Sequence, residues 1–467
     1  MTNANFLNLA VWQQRDKTKG AETLRFYENN IKIILGSYKM KKIWGIWSGV
    51  LLALTFGMFI SCSETDGGSG GGGGDKDGGS NSSKVWDGTA DTTWYDVLRN
   101  EFTITTAEEL AGLARLVNSG KSMYGKTIKL GKNIMLNDTT NWRNWENNPP
   151  ENIWIPIGAG TGSYNSIFQG IFDGSEYVVS GVYINNSNDY QGFFYVAIEK
   201  ASIKNCGIVA SVIKGRDNVG GLIGQFGADF GTGPSGGTIE NCYFKGIVIG
   251  RDRVGGLVGG NFRGGILYCY AEGNVRGSNS VGGLVGSATG GYINRSYAAG
   301  NVTGTFNIGG LVGRNAASEA TFSSSVDPKN SGNIVNCYAT GNVTGTSNVG
   351  GLVGRNAGYV YNRNRAGEIG MTYAIGKVTI SDNNGSSGGL VGVNFQYSGT
   401  SGIQPAYISD SYYNLETTLQ SDVGKGHGIT TAQMKNHQSY PGSWGFGAVW
   451  GINSSINDGY PHLRVFQ

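Results

Sequence analysis

Residues 266–313 read ILYCYAEGNVRGSNSVGGLVG-SATGGYINRSYAAGNVTGTFNIGGLVG, the same 27-residue unit met twice in succession. Each copy carries a Tyr beside a Cys or Ser, then Gly-Asn-Val, then Gly-Gly-Leu-Val-Gly. A fixed period of this length is the mark of a stacked or radial repeat architecture, because one unit is too short to bury a core of its own. Within the unit, small or apolar residues alternate with polar ones, as in Ile-x-Asn-Cys-Tyr-Ala-x-Gly-Asn-Val, the pattern of a β-strand with one face buried.

The unit extends in both directions. The glycine motif recurs at Gly220–Gly224, Gly255–Gly259, Gly282–Gly286, Gly309–Gly313, Gly350–Gly354 and Gly388–Gly392. The tyrosine motif precedes each copy, as Asn205-Cys206, Asn241-Cys242-Tyr243, Tyr268-Cys269-Tyr270, Arg295-Ser296-Tyr297 and Asn336-Cys337-Tyr338, with weaker forms at Thr372-Tyr373 and Ser411-Tyr412. From the Cys/Ser position to the motif leucine the spacing is 16, 15, 15, 15, 15 and 18 residues; from that leucine to the next Cys/Ser it is 20, 12, 12, 26, 20 and 21. One half of the unit is nearly rigid and the other holds every long insertion. In a solenoid such insertions emerge on one side.

These features predict an all-β chain, a right-handed parallel β-helix with about 4.8 Å of rise per coil. A β-propeller is the runner-up, disfavoured because its blades run to roughly 40–50 residues. Residues 85–189 read as an N-terminal cap and first coils, 190–415 as the repeat helix and 416–467 as a C-terminal cap. Thr106 and Glu109 form a capping box before Leu110, Leu113, Ala114 and Val117 on one helical face. Thr430 and Gln433 form a second box, and Trp444, Phe446, Trp450, Tyr460 and Leu463 are expected to close the far end as a lid.

Ahead of the repeats stands an address. From Met40, Lys41 and Lys42 precede the uncharged apolar run Ile43–Ile60, then Ser61-Cys62 and a polar glycine-rich segment. The segment resembles the signal peptide and lipobox of bacterial lipoproteins, over residues 40–61, with Cys62 as the lipidated residue; an uncleaved transmembrane anchor is the alternative. Residues 1–39 lie upstream of a complete signal, so translation is expected to start at Met40. Residues 62–84 read as a flexible tether with a reach of roughly 25 Å. The resemblance implies a bacterial outer-membrane protein, lipid-anchored and exposed at the cell surface.

The chain has 467 residues with 80 glycines, eight prolines and a net charge of +3. The glycines follow no three-residue period, which excludes collagen. Residues 1–61 hold eight Lys/Arg and three Asp/Glu, so the remainder carries 28 basic and 30 acidic residues. Near-neutrality gives no footprint for nucleic acid.

The glycine motif and its partner resemble the GLUG motif over roughly residues 190–415. GLUG arrays occur in bacterial surface proteins, including haemagglutinin-like adhesins and some IgA-cleaving peptidases. The AEELAGLA helix and the Phe172-Asp173-Gly174 segment are also similar to the lead-in of Bacteroidota members. The resemblance implies a surface-associated β-helical array in an adhesin-like role, with no common activity. A zinc peptidase would need HExxH, and His427, His437 and His462 stand in no such pattern.

Candidate chemistry is sparse. Cys206, Cys242, Cys269 and Cys337 share one repeat position, where stacking would allow disulfides or a soft-metal site. Ser296, Thr372 and Ser411 stand at the equivalent place, which favours a buried ladder of small residues. Asn205, Asn241 and Asn336 are candidates for a hydrogen-bonded ladder. Asp217 and Asp252 occupy equivalent positions, with Arg216 and Arg251 beside them; structural turns are favoured over a weak calcium site, and Asp173 reads the same way. No catalytic residue, metal or cofactor is expected. The insertion loops carry Phe226, Phe230, Arg263, Arg314, Arg355, Tyr359, Tyr361, Arg363, Phe395 and Tyr397, aromatics and arginines suited to stacking sugars and pairing with carboxylates. The plainer reading is that each ring packs its own loop. The leading expectation is adhesion to glycan or host protein; a carbohydrate-active enzyme and a passive envelope spacer are the alternatives.

Overall fold

A computed structural model describes residues 85–467, except 161–163, 199, 228–236, 317–331, 359–366, 383, 397–406 and 422–424; of residues 164, 358, 395 and 396 it describes the backbone alone. The leader, Cys62 and the tether lie outside the described residues. The chain from 101 to 429 winds as a parallel β-helix. Strands within the stack pair in parallel with equivalents one coil below and above, an arrangement that no propeller blade makes.

One coil shows the plan. Gly265–Leu267 lies in a front sheet, Tyr270–Arg276 in a tyrosine sheet, Asn279–Gly282 in a hinge sheet and Val285–Thr289 in a fourth, here called the arginine sheet. Gly290-Gly291 then leads to Tyr292–Asn294, back in the front sheet. Among the described residues the four sheets contain ten, fourteen, six and seven strands respectively. Equivalent residues align across coils: Ile239, Ile266, Ile293, Ile334 and Ile369 in the front sheet, and Val258, Val285, Val312, Val353 and Val391 in the arginine sheet. All are buried, as are the motif leucines Leu222, Leu257, Leu284, Leu311, Leu352 and Leu390. Each coil contributes one layer and the stack makes the core continuous.

The motif glycines serve space rather than backbone freedom. A β-carbon at Gly283 would fall 2.1 Å from the Gly310 carbonyl oxygen, at Gly282 2.1 Å from that of Val285, and at Gly286 2.4 Å from the Arg253 carbonyl carbon. The hinge and arginine sheets therefore approach to backbone contact. The left-handed corners fall to other residues: Asn205, Asn241, Tyr268, Arg295, Asn336, Met371 and Asp410 at one corner, and Asn218, Arg253, Ser280, Asn307 and Asn348 at another, all with φ between 43° and 57°. Asn tolerates this region best, which explains its frequency there.

Two irregular spacings have local causes. The 16-residue first unit contains a bulge: Lys245 pairs with Val209 and Gly246 with Ser211, leaving Ala210 extra at φ 49°. In the 18-residue unit the Gly385 amide donates to the Asp382 carbonyl, just before the glycine motif.

Cys206, Cys242, Cys269 and Cys337 are free and buried. The Cys269 thiol donates to the Leu267 carbonyl at 3.1 Å, and the Ser296 hydroxyl donates to Asn294 at 3.0 Å from the same position in the next coil. The site selects a small side chain that can satisfy a carbonyl. Burial pushes the Cys242 and Cys337 thiols up to about 12. The asparagine ladder is real at its base, where Asn241 donates to Asn205 and Asn205 to Asp173, but Tyr268 and Arg295 interrupt it before Asn336, which donates to Asn294.

Tyr243, Tyr270, Tyr297, Tyr338 and Tyr373 point outward and stack, the first four at 4.8 Å and 1–4° between planes and the last at 5.1 Å. Their cover is the C-terminal segment. At the last coil Leu415 meets the core and a β-carbon at Gly426 would fall 2.8 Å from Leu390. The chain then turns back along the tyrosine row. Met434, Tyr440, Trp444, Trp450, Tyr460 and Leu463 pack on Tyr338 and Tyr373, and Phe466 reaches Tyr270 and Tyr297 edge-on at 5.3 and 5.1 Å. The aromatic lid expected at the end of the stack lies along its side instead, because the row of rings offers the larger apolar surface. Farther back, Trp142 and Trp145 cover Tyr183, Val212 and Ile247 on the same sheet. At the start, α1 (Ala107–Asn118) buries Leu110, Leu113, Ala114 and Val117, and the Thr106–Glu109 capping box is formed in both directions.

Gly283→Ala is expected to cost about 3 kcal/mol or more in urea unfolding, since two backbones must separate. Gly442→Ala, with no atom within 4 Å, is expected to be neutral. The thiols should resist alkylation at pH 8 until the chain unfolds. Their folded values lie above the ordinary 9.0, so the unfolded chain loses these protons first. Stability is thus fully present below pH 9 and is lost as pH rises towards 12; a flat unfolding midpoint from pH 8 to 12 would contradict this.

Candidate functional site

Residues 228–236, 317–331, 359–366 and 397–406, within the four long insertions, lie outside the described residues, and the strands that flank them stand at one edge of the stack. Each follows a strand of the arginine sheet and precedes one of the front sheet. The register fixes this: Thr289 aligns with Ala316 and Ala357, and Tyr292 with Asn333. Where no insertion is present, two glycines, Gly290 and Gly291, suffice, at φ 69° and 76°.

The predicted residues separate into groups. Phe230, Tyr359, Tyr361, Arg363 and Tyr397 lie outside the described residues. Phe395 belongs to the strand Val391–Gln396 by its backbone. Phe226 is not a displayed ring: it is wholly buried, and a β-carbon at Gly264 would fall 2.3 Å from it. The loop reading failed because Phe226 closes an arginine-sheet strand at an inward register position, aligned with the buried Asn261. Arg263 is 8% exposed at a left-handed corner. Arg314 and Arg355 are not loop residues either. They stand within strands, in register with each other, and point outward.

The outward row runs Gln225, Gly260, Ser287, Arg314, Arg355 and Val393. Beside it runs the left-handed row of the hinge sheet, one coil out of step. β-Carbons at Gly259, Gly286, Gly313, Gly354 and Gly392 would meet Asn218, Arg253, Ser280, Asn307 and Asn348 at 2.4–2.6 Å. Arg253 thus stands at the level of Ser287, and the next two levels hold Arg314 and Arg355. The sequence reading missed Arg253, because the one-coil offset is a property of the stack.

Arg314 is half-buried, and the charges acting on it, Arg355 and Arg253, are both repulsive; burial first, then these two, push its guanidinium down from the usual range. Arg253 reaches only the Asn218 amide oxygen, at 3.4 Å. Several other cations are paired with carboxylates. Arg216 bonds Asp189 through two nitrogens at 2.6 Å, Arg251 bonds Asp217 at 2.9 and 2.5 Å, and Arg276 bonds Glu146 at 2.9 and 3.1 Å. Lys204 and Lys245 meet Asp173 and Glu272 at 3.4 and 2.8 Å. Asp217 and Asp252 do align across coils, but the Arg251 guanidinium lies against both. Among the described residues no cluster of His, Cys, Asp or Glu suits a metal ion.

A second concavity lies at the N-terminal end. A cleft of about 1170 Å³ is lined by Trp86, Ala111, Ala114, Arg115, Ile153 and Trp154, among others. Across Ile153–Pro156 a smaller one of about 530 Å³ reaches Asp189, Tyr195 and Arg216. Beneath them, Trp86 and Trp154 are 8% and 2% exposed, too buried to offer stacking faces.

Comparison with known proteins places the repeats. A family described as "The GLUG motif" matches residues 250–276 and 304–344, so the chain carries GLUG repeats. A Gly-rich membrane protein of Evansella cellulosilytica is 33% identical over 128 residues, covering 22% of this chain and 14% of that protein. The chain thus matches about one seventh of the relative's length. A crystal structure of an immunoglobulin A1 protease from Bacteroides ovatus superposes with a TM-score of 0.47 at 20% identity, covering 78% of this chain and 92% of that one. Both descriptions are provisional assignments for those proteins.

Because Arg251 lies against both Asp217 and Asp252, with Arg216 also near Asp217, neither calcium nor chelator is expected to move the unfolding midpoint. A rise with millimolar calcium that Asp217→Asn abolishes would restore the calcium reading.

Proposed function

We propose that this GLUG-repeat chain is a membrane-tethered, surface-displayed binding module whose ligand face is the arginine sheet with the insertion corner beside it. The observation that carries this reading is the single exit point of the long insertions. A stack grows variable loops at one edge when that edge is selected for contact rather than for packing. The tyrosine sheet is already covered by the chain's own segments, so a ligand face is sought elsewhere on the stack. The name of the Evansella relative supports association with a membrane, and the Cys62 lipobox supplies the means, a diacylated cysteine ahead of a glycine-rich tether. Among the described residues no helix is long and apolar enough to cross a membrane.

Binding is favoured over catalysis because the carboxylates that could act as acid or base are engaged. Asp189 and Asp173 are held below the usual range: Asp189 chiefly by Arg216, and Asp173 by Asn205, Ser175 and Lys204 against the opposing effect of burial. Neither is the proton-holding acid that a glycosidase requires.

The first test is an array of glycans and extracellular-matrix proteins probed with the purified chain. Replacing 317–331 by the two-glycine corner of Gly290-Gly291 is expected to keep the circular dichroism spectrum and to weaken a specific hit at least tenfold. Unchanged binding with that corner and the equivalent one for 359–366 would remove the insertions from the site. For the anchor, Cys62→Ser is expected to abolish palmitate incorporation and release the chain from the membrane fraction; retention of label would point to an uncleaved span.

A further inference from the structure

The coil before the first glycine motif breaks the rule that the later coils keep. Gly224, Gly259, Gly286, Gly313, Gly354 and Gly392 each lie against the left-handed corner of the coil before. Ile223 pairs with Phe194 and Gln225 with Val196, so the residue opposite Gly224 is Tyr195. A ring fits there because no such corner precedes it. Among the described residues the hinge sheet has nothing before Gln191, which bridges Val219. One coil earlier the chain is drawn towards the tyrosine sheet, where the Trp154 amide donates to the Tyr183 carbonyl at 2.8 Å. The cleft of about 530 Å³ opens between that stretch, Ile153–Pro156, and the corner Asn186–Gln191. Its size falls within the roughly 300–1,000 Å³ of small-ligand clefts.

Tyr190 is the second departure. It takes φ 58° at a corner where Asn218 and Ser280 stand in later coils, and a bulky ring is an uncommon occupant of that region. Its ring meets that of Tyr195 at 5.3 Å and 60°. Among the described residues neither hydroxyl has a hydrogen-bonding partner. Burial, with Tyr190 and Asp189 nearby, raises Tyr195, so its hydroxyl keeps the proton and can donate. The corner itself is held rigid. The Asn186 side chain donates to that of Gln191 at 3.0 Å, the Gln191 side chain to the Asp189 carbonyl at 2.7 Å, and the Tyr190 amide to the Asp217 carbonyl at 2.7 Å.

The lining selects the ligand. Arg216 grips Asp189 through Nε and Nη2, so the one cation and the one anion of the cleft cancel. An anion would have to displace Asp189 from the guanidinium, and a cation would have to displace Arg216 from the carboxylate; a neutral ligand competes with neither. The wall opposite the tyrosines carries Ile155, 64% exposed. A ligand that matches has an apolar C–H face for the isoleucine and an edge of hydroxyls for the tyrosines and the remaining guanidinium nitrogen. We infer that the cleft between Ile153–Pro156 and Tyr190, Tyr195 and Arg216 is a binding site for a neutral saccharide unit. It stands at the border of the hinge and arginine sheets, whereas the insertions flank the border of the arginine and front sheets, so this inference does not depend on the insertion edge.

The experiment records saturation-transfer NMR and titration calorimetry on the full chain. The probes are methyl glycosides of glucose, galactose, mannose and N-acetylglucosamine, their disaccharides, and glucuronate and N-acetylneuraminate as acidic counterparts. The expected result is saturable binding of at least one neutral sugar, stronger than either acid. Tyr190→Asn installs the residue of the next coil and is expected to keep or raise the unfolding midpoint while weakening binding tenfold or more. Tyr195→Phe keeps the ring and is expected to weaken binding at least threefold through the hydroxyl alone. Arg276→Gln, paired with Glu146 outside the cleft, should change nothing. Binding that survives Tyr190→Asn combined with Tyr195→Phe would overturn the site, and preference for the acids would overturn the ligand class. Binding lost only when 317–331 is replaced would move the sugar to the insertion edge, overturning this inference and leaving the binding-module reading in place. No binding by any of these sugars would overturn it outright.

Discussion

The closeness of the hinge and arginine sheets sets the terms for everything else in the molecule. Each coil passes from one to the other through Gly-Gly-Leu-Val-Gly, and three of those residues stand where any β-carbon would lie within 2.1–2.4 Å of backbone atoms. With the sheets in contact there, the leucine and valine rows are wholly buried in the interior. The same contact locks successive coils one step out of phase, which brings the left-handed row of one coil against the strand row of the next. The glycines are thus the reason that Arg253 meets the level of Ser287 and that three arginines fall in line.

Parallel in-register stacking amplifies every choice of side chain. A tyrosine repeated at one position becomes a column of parallel rings, each pair adding about 0.5–1.5 kcal/mol beyond its buried area, and the column in turn supplies the surface on which the C-terminal segment lies. A cysteine or serine repeated at another becomes a row of small donors to carbonyls. Asparagines aligned in the interior donate along the stack, Asn315 to Asn356 at 2.9 Å and Asn356 to Asn394 at 3.1 Å, at the point where the chain leaves the arginine sheet for its insertions. A charge repeated in the same way is a liability unless a carboxylate accompanies it, as Asp189 accompanies Arg216 and Asp217 accompanies Arg251.

The division of labour between faces follows. Two segments remote in sequence, around Trp145 and from Met434 to Phe466, cover the outside of the tyrosine sheet. At the far end Leu415 and Gly426 lie against the last coil, and the near end is capped by α1. The strands that flank the long insertions stand instead at the edge between the arginine and front sheets. A rigid stack, with its register set by many coils at once, holds that side in fixed geometry, and a tether at the N-terminus would give it reach.

The sequence by itself determined the repeat, its period, the parallel stack, both capping boxes and the common edge of the insertions. All of these rest on local signals or on spacing, which stacking preserves without change. It also indicated that the cysteine position asks for small size, since Ser296, Thr372 and Ser411 replace it. Facing and proximity were decided only by the tertiary structure. Phe226 and Arg314 both fall next to insertions in the chain, yet one is core and the other surface, because strand parity beyond the valine depends on where the sheet bends. Trp444 and Trp450 were recognisable as packing residues, but their destination was not: the tyrosine column that receives them exists only once five coils are stacked. Arg253 joins Arg314 and Arg355 across an offset of one coil, a relation set by backbones in contact at glycine and invisible in the order of residues along the chain.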